Sequence, residues 1–130
     1  MNRLFTFGCS YTSYVWSTWA DILGDNAKEF HNWGLSGAGN HYIFNSVVEC
    51  NTRNKFNSDD IVIVMWTSCT REDRYIDGRW LTAPTEQRKE VYGNDWVKKF
   101  GTDIRSLMIR DLAYMSSVQT LLETTGCDYL

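Results

Sequence analysis

The stretch DDIVIVMWT, residues 59–67, decides the fold. Five consecutive apolar residues from Ile61 to Met65, rich in Val and Ile and bounded by Asp60 and Ser68, predict a central strand buried on both faces. Upstream, RLFTFG (residues 3–8) is a second buried strand. VWSTWADIL (residues 15–23) places Trp16, Trp19, Ala20 and Leu23 at helical spacing, with Gly24 as a stop. KEFHNW (residues 28–33) is a weaker strand. Residues 34–39 form a glycine-rich loop, and Asn40 is expected to cap a helix carrying Ile43, Phe44, Val47 and Val48. Strands alternating with helices imply right-handed βαβ units and a mostly parallel sheet.

Downstream of the central strand, residues 68–100 are polar, aromatic and irregular, and they predict a long loop with a short helix over residues 86–92. A long helix is expected over residues 103–125, with Gly126 in the C′ position. CDYL (residues 127–130) then opens a fourth strand. The expectation is one domain over residues 1–130, either closed by a short edge strand or forming the N-terminal, incomplete part of a longer fold.

Composition narrows the function. The 130 residues are 43% apolar and 22% charged, with a net charge of −3. Lys and Arg are scattered, so no basic stripe is available for nucleic acid. No apolar run approaches the ~20 residues of a membrane span, and the N-terminus carries no signal peptide. Four cysteines without a C-x-x-C pair, and two histidines, give no zinc signature. The reading is a soluble, cytoplasmic protein with reduced thiols and no metal or cofactor. Aromatic residues reach 15%, including six Trp and seven Tyr, so some are expected on the surface or along a cleft.

Three predicted strand ends carry small polar residues: Gly8-Cys9-Ser10, then Gly34 to Asn40, then Trp66-Thr67-Ser68. In open parallel sheets the carboxyl ends of the strands form the ligand site. Each motif alone also has a plainer reading. Gly8-x-Ser10 is a nucleophile turn or a simple connection, and it lacks the second glycine of the G-x-S-x-G elbow. The glycine loop is a tight turn or an anion cradle. Cys9 is a reactive thiol or a small buried hydrophobe. Arg71 holds an anion at the rim or pairs with Glu72 or Asp73.

FTFGCSYT (residues 5–12) and NWGLSGAGN (residues 32–40) together resemble the first two blocks of the SGNH or GDSL-like hydrolases, with Cys9 in the place of the usual Asp. VMWTSCTRED (residues 64–73) departs from the third block and puts Ser68 where an Asn would fall. That Trp-Thr-Ser…Arg form looks like a divergent subgroup met in marine bacteria and their phages. The resemblance implies a flavodoxin-like three-layer α/β/α fold and an esterase, lipase, thioesterase or carbohydrate deacetylase activity. It implies Ser10 as nucleophile, with the Ser10 and Gly37 N–H groups and Ser68 as oxyanion donors, and Asn40 and Arg71 as substrate contacts. The substrate would be a small-molecule ester or an acetylated glycan.

The family's Asp-x-x-His base is missing from this chain. His31 falls within the second strand, which leaves His41, beside the glycine loop, as the candidate base. The alternative is an inactive hydrolase-like subunit serving a phage or homo-oligomeric assembly through an open sheet edge. A flavodoxin-like anion or nucleotide binder is the third reading.

Overall fold

The computed structural model describes residues 2–84 and 93–130. Strand β1 (Arg3–Phe7) sits between β2 (Glu29–Asn32) and β3 (Asp60–Val64), parallel to both, with Arg3 in register with Glu29 and with Asp60. Strand β6 (Asp128–Tyr129) adds in parallel to β3, giving the order β2-β1-β3-β6. The chain therefore runs first toward one edge and then, through β3, toward the other. The sheet is parallel throughout and flanked by helices, a small flavodoxin-like α/β fold.

Side chains alternate along β1 and divide the molecule into layers. Phe5 and Phe7 point into the core with Val62 of β3, Ile43 and Val47 of helix α2 (Asn40–Asn54), and Val118 and Leu122 of the long helix Ile104–Thr125. Leu4 and Thr6 face the other side, where helix α1 (Trp19–Gly24) lies. Their register partners Ile61 and Ile63 are only half-buried, because α1 spans six residues and packs over β2, on the far side of β1 from β3. The expectation of a central strand buried on both faces thus holds for the α2 face alone.

Helix α1 also starts later than its apolar spacing predicts. Thr18 and Asp21 form a capping box, the Asp21 carboxylate accepting from the Thr18 N–H at 2.8 Å, and this fixes the first turn after Val15 and Trp16. Gly24 is the last helical residue instead of a stop, and it is small because the Phe30 ring fills the place a Cβ would take.

Residues 71–84, expected as loop, form an antiparallel hairpin, β4 (Arg71–Ile76) and β5 (Arg79–Pro84). Its turn has positive φ at both Asp77 (51°) and Gly78 (81°), the type I′ geometry that the Asp-Gly pair favours. The helix expected over residues 86–92 lies outside the described residues. Helix α3 (Asn94–Trp96) runs into one π turn, Val97–Gly101, and is followed by helix α4 (Ile104–Thr125). The Asp103 carboxylate accepts from Ser106 N–H at the start of α4, and left-handed Gly126 (φ 73°) ends it. CDYL forms the short edge strand.

One ion pair ties β1 to β3 at the sheet's amino end. Arg3 Nε and Nη2 donate to the two oxygens of fully buried Asp60 at 2.7 and 2.6 Å, in a bidentate fork.

Candidate functional site

Ser10 follows the end of β1 and opens onto a cleft of about 710 Å³ at the carboxyl ends of the strands. Ser36 and Gly37, from the loop after β2, form the facing lip, and Met65, just past β3, closes the floor. Two of the three strand-end motifs therefore meet at one cavity. The wall is aromatic: Tyr11, Tyr14, Trp16 and Trp19. Tyr14 and Trp16 pack edge to face, with ring centroids 4.3 Å apart.

The backbone here leaves donors free. Thr12 and Ser13 N–H groups both return to the Cys9 carbonyl, at 2.9 and 3.1 Å, closing a tight turn around Ser10. Among the described residues, neither the Ser10 nor the Gly37 N–H donates to a partner. The Ser10 hydroxyl is likewise without a protein partner among the described residues. Gly37 has φ 77°, and a Cβ there would come within 2.9 Å of Thr82 Oγ1, so this lip admits only glycine. Thr82 in turn donates to the Ser36 carbonyl at 2.9 Å, so the hairpin braces the loop.

Asn40 lies elsewhere. It is fully buried in the first turn of α2, whose N-cap is Gly39, and its amide clamps both backbone groups of Thr67: Nδ2 donates to the carbonyl at 2.9 Å, and Oδ1 accepts from the N–H at 2.8 Å. Nδ2 also donates to Asp111 Oδ2 at 2.6 Å. Asp111 continues the network to Arg110 and from there to Glu72. Asn40 joins α2, the loop after β3 and α4, and has no atom left for a substrate.

The capping role expected of Asn40 belongs to Asp73 of the hairpin. Its two carboxylate oxygens accept from Gly39 N–H at 2.8 Å and Tyr42 N–H at 2.9 Å. Burial pushes the Asp73 carboxyl above the usual range, against the pull of those two donors.

Arg71 donates to the Ala38 carbonyl at 2.9 Å and so braces the same loop; Glu72 pairs with Arg110, and Asp73 caps α2. Ser68 is exposed, shares a 2.8 Å hydrogen bond with Thr70 and stands outside the cleft.

Neither imidazole lines the cleft. His41 Nδ1 is hydrogen-bonded to the Tyr114 hydroxyl at 2.8 Å, and the ring packs against Trp80. It borders a separate cavity of about 210 Å³ with Arg110 and Phe100. Burial lowers its pKa below the ordinary 6.5. His31 stacks on Phe5 at 4.7 Å and contacts Glu29 at 2.6 Å.

Cys9 is buried at 2% exposure. Burial opposes its ionisation, but the Tyr11 N–H, Thr67 and Arg71 outweigh it and bring the thiol below its usual value. Burial pushes Cys50 up to about 12. All four cysteines are unpaired.

The residue reading missed Tyr11 and Tyr14 as cleft wall. The signal is present in SYTSYVWSTW (residues 10–19), where aromatics alternate with Ser and Thr instead of following a helical apolar period.

No protein-family model matches the chain, and no curated protein matches it. Among solved structures it is similar to the crystal structure of a member of the lipolytic protein G-D-S-L family from Veillonella parvula DSM 2008. The two are 14% identical with a TM-score of 0.45, over 90% of this chain and 54% of that one. The chain thus spans about half the length of that protein.

Proposed function

We propose that this chain is a GDSL-type serine-hydrolase domain that acts on an ester or acetyl group through Ser10, without metal or cofactor. The observation that carries the reading is the cleft itself: it is lined by Ser10 at the end of β1 and by Gly37, and the backbone N–H groups of both have no partner among the described residues. In the reaction, Ser10 Oγ bonds the acyl carbon and its proton passes to a base. The oxyanion is received by the N–H groups of Ser10 and Gly37. The alcohol then leaves, and water cleaves acyl-Ser10. Donors of this kind are worth about 10²–10³ each in rate when they are preorganised.

Since neither imidazole lines the cleft, the proton acceptor is water or a group from outside these residues. The reading therefore expects slow turnover of an activated ester such as p-nitrophenyl acetate. Replacing Ser10→Ala is expected to remove that turnover, and a variant as fast as the wild type contradicts the reading. Four free thiols suit a reducing, cytoplasmic compartment.

The position of the two histidines also favours a second reading, a ligand-binding relative that does not turn over. In it the same cleft binds, and the outer edge of β6, which no strand covers among the described residues, pairs with another chain. Ligand binding with no ester turnover supports this second reading.

A further inference from the structure

We propose that Thr82 is a positioning residue for the oxyanion site: its hydroxyl fixes the Ser36–Gly37 peptide plane and so turns the Gly37 N–H to the cleft side; this rests on the hydrolase reading above. Residues 35–38 form a β-turn, closed by the Ala38 N–H donating to the Leu35 carbonyl at 3.0 Å. Gly37, in its third place, has φ 77°, whereas Ser36 before it is not in the positive region. That combination is a type II turn.

Type I and type II turns differ by a flip of the central peptide. Glycine takes φ of either sign about equally, so residue 37 by itself does not choose between them. A trans peptide points its C=O and its N–H in opposite directions. The Thr82 hydroxyl donates to the Ser36 carbonyl at 2.9 Å, which holds that carbonyl toward the hairpin and the Gly37 N–H away from it. Among the described residues the hairpin contributes none to the cleft lining, whereas Gly37 belongs to it. In the flipped turn the carbonyl and the N–H would exchange places, and an oxygen would face the developing oxyanion.

The peptides around this one are fixed by other groups. The Gly34 N–H donates to Asn32 Oδ1 at 2.9 Å and the Leu35 N–H to the Gly8 carbonyl at 3.0 Å. The Ala38–Gly39 peptide is held at both ends, its carbonyl by Arg71 at 2.9 Å and its N–H by Asp73 at 2.8 Å. The Ser36–Gly37 peptide is held at its carbonyl end, and its N–H has no partner among the described residues. Thr82 stands opposite Asp73 in the hairpin register, where paired side chains share a face, so one rung of the hairpin sets both planes.

The test compares Thr82→Val and Thr82→Ser in the full chain. Valine keeps the branched shape and strand preference of threonine without the hydroxyl, and serine keeps the hydroxyl. Thr82→Ala is a second hydroxyl-free variant. For p-nitrophenyl acetate, kcat/KM should fall by about tenfold or more without the hydroxyl, and Thr82→Ser should recover most of it. Nuclear Overhauser effects read the peptide plane directly. In the wild type the Ser36 Hα should lie close to the Gly37 amide proton; in Thr82→Val a contact between the Ser36 and Gly37 amide protons should grow in, as a flipped plane requires.

Hydroxyl-free variants as fast as a wild type whose turnover depends on Ser10 overturn the proposal and leave the hydrolase reading standing. So does a loss of rate that Thr82→Ser fails to recover. A wild type with the Ser36 and Gly37 amide protons already in contact overturns the proposal whatever its turnover. Absence of any Ser10-dependent turnover in the wild type removes the hydrolase reading, and this role of Thr82 with it.

Discussion

Asn40 is buried with both Nδ2 and Oδ1 engaged, and its loss would leave the Thr67 N–H and carbonyl and an Asp111 oxygen without their partner. Each stranded buried group costs about 1–3 kcal/mol, so Asn40→Ala is expected to destabilise the fold by about 3 kcal/mol in urea titration. His41 makes a pH-dependent contribution. Its folded pKa lies below its ordinary 6.5, so as pH falls the unfolded chain takes up the proton first. Stability from this group is complete above 6.5 and declines as pH drops toward the folded pKa. His41→Gln should flatten that part of the stability–pH curve; an unchanged slope contradicts the assignment. Of the four thiols only Cys69 is more than slightly exposed, so a colorimetric thiol reagent should modify it first and leave Cys9 slow until the chain unfolds. The positions of Ser10 and Gly37 at strand ends were legible, because a strand that stops on small residues leaves few alternatives. The partners of Asn40, Arg71 and His41 were not, because each lies on another element, 27 or more positions away.

Among the elements, the hairpin differs most from expectation. YIDGRW (residues 75–80) contains its signal, an Asp-Gly pair between strand formers, but the surrounding charges obscure the alternation. The hairpin matters because Arg71, Asp73 and Thr82 all fasten the glycine loop or the start of α2. A Cβ at Gly78 would meet nothing within 4 Å, so Gly78→Ala tests backbone strain alone. It should cost about 1 kcal/mol, measured as a shift in the denaturation midpoint. Helix α4 was legible from end to end, since a 22-residue apolar period between Asp103 and Gly126 has both its caps in the sequence. Helix α1 was misread at its start because Val15 and Trp16 continue an apolar spacing that the Thr18 capping box interrupts. Local hydrogen bonding overrides periodicity there.

In the whole molecule, the parallel sheet was readable from strand-like runs alternating with three helical ones. Burial was not: the sequence of β3 is apolar on both faces, but α1 is too short to cover Ile61 and Ile63. The Arg3–Asp60 fork joins the strands at the end opposite the cleft, and Asp60→Ala is expected to lower stability by about 2–3 kcal/mol while leaving ligand binding at Ser10 intact. The fold brings the turn after β1, which carries Ser10, and the glycine loop after β2 to one cavity. The most direct test of that arrangement is reaction of the native chain with a fluorophosphonate, followed by intact mass and peptide mapping. The account predicts a single adduct on Ser10, absent from Ser10→Ala. A folded chain that stays unmodified, or an adduct mapped to another serine, contradicts it.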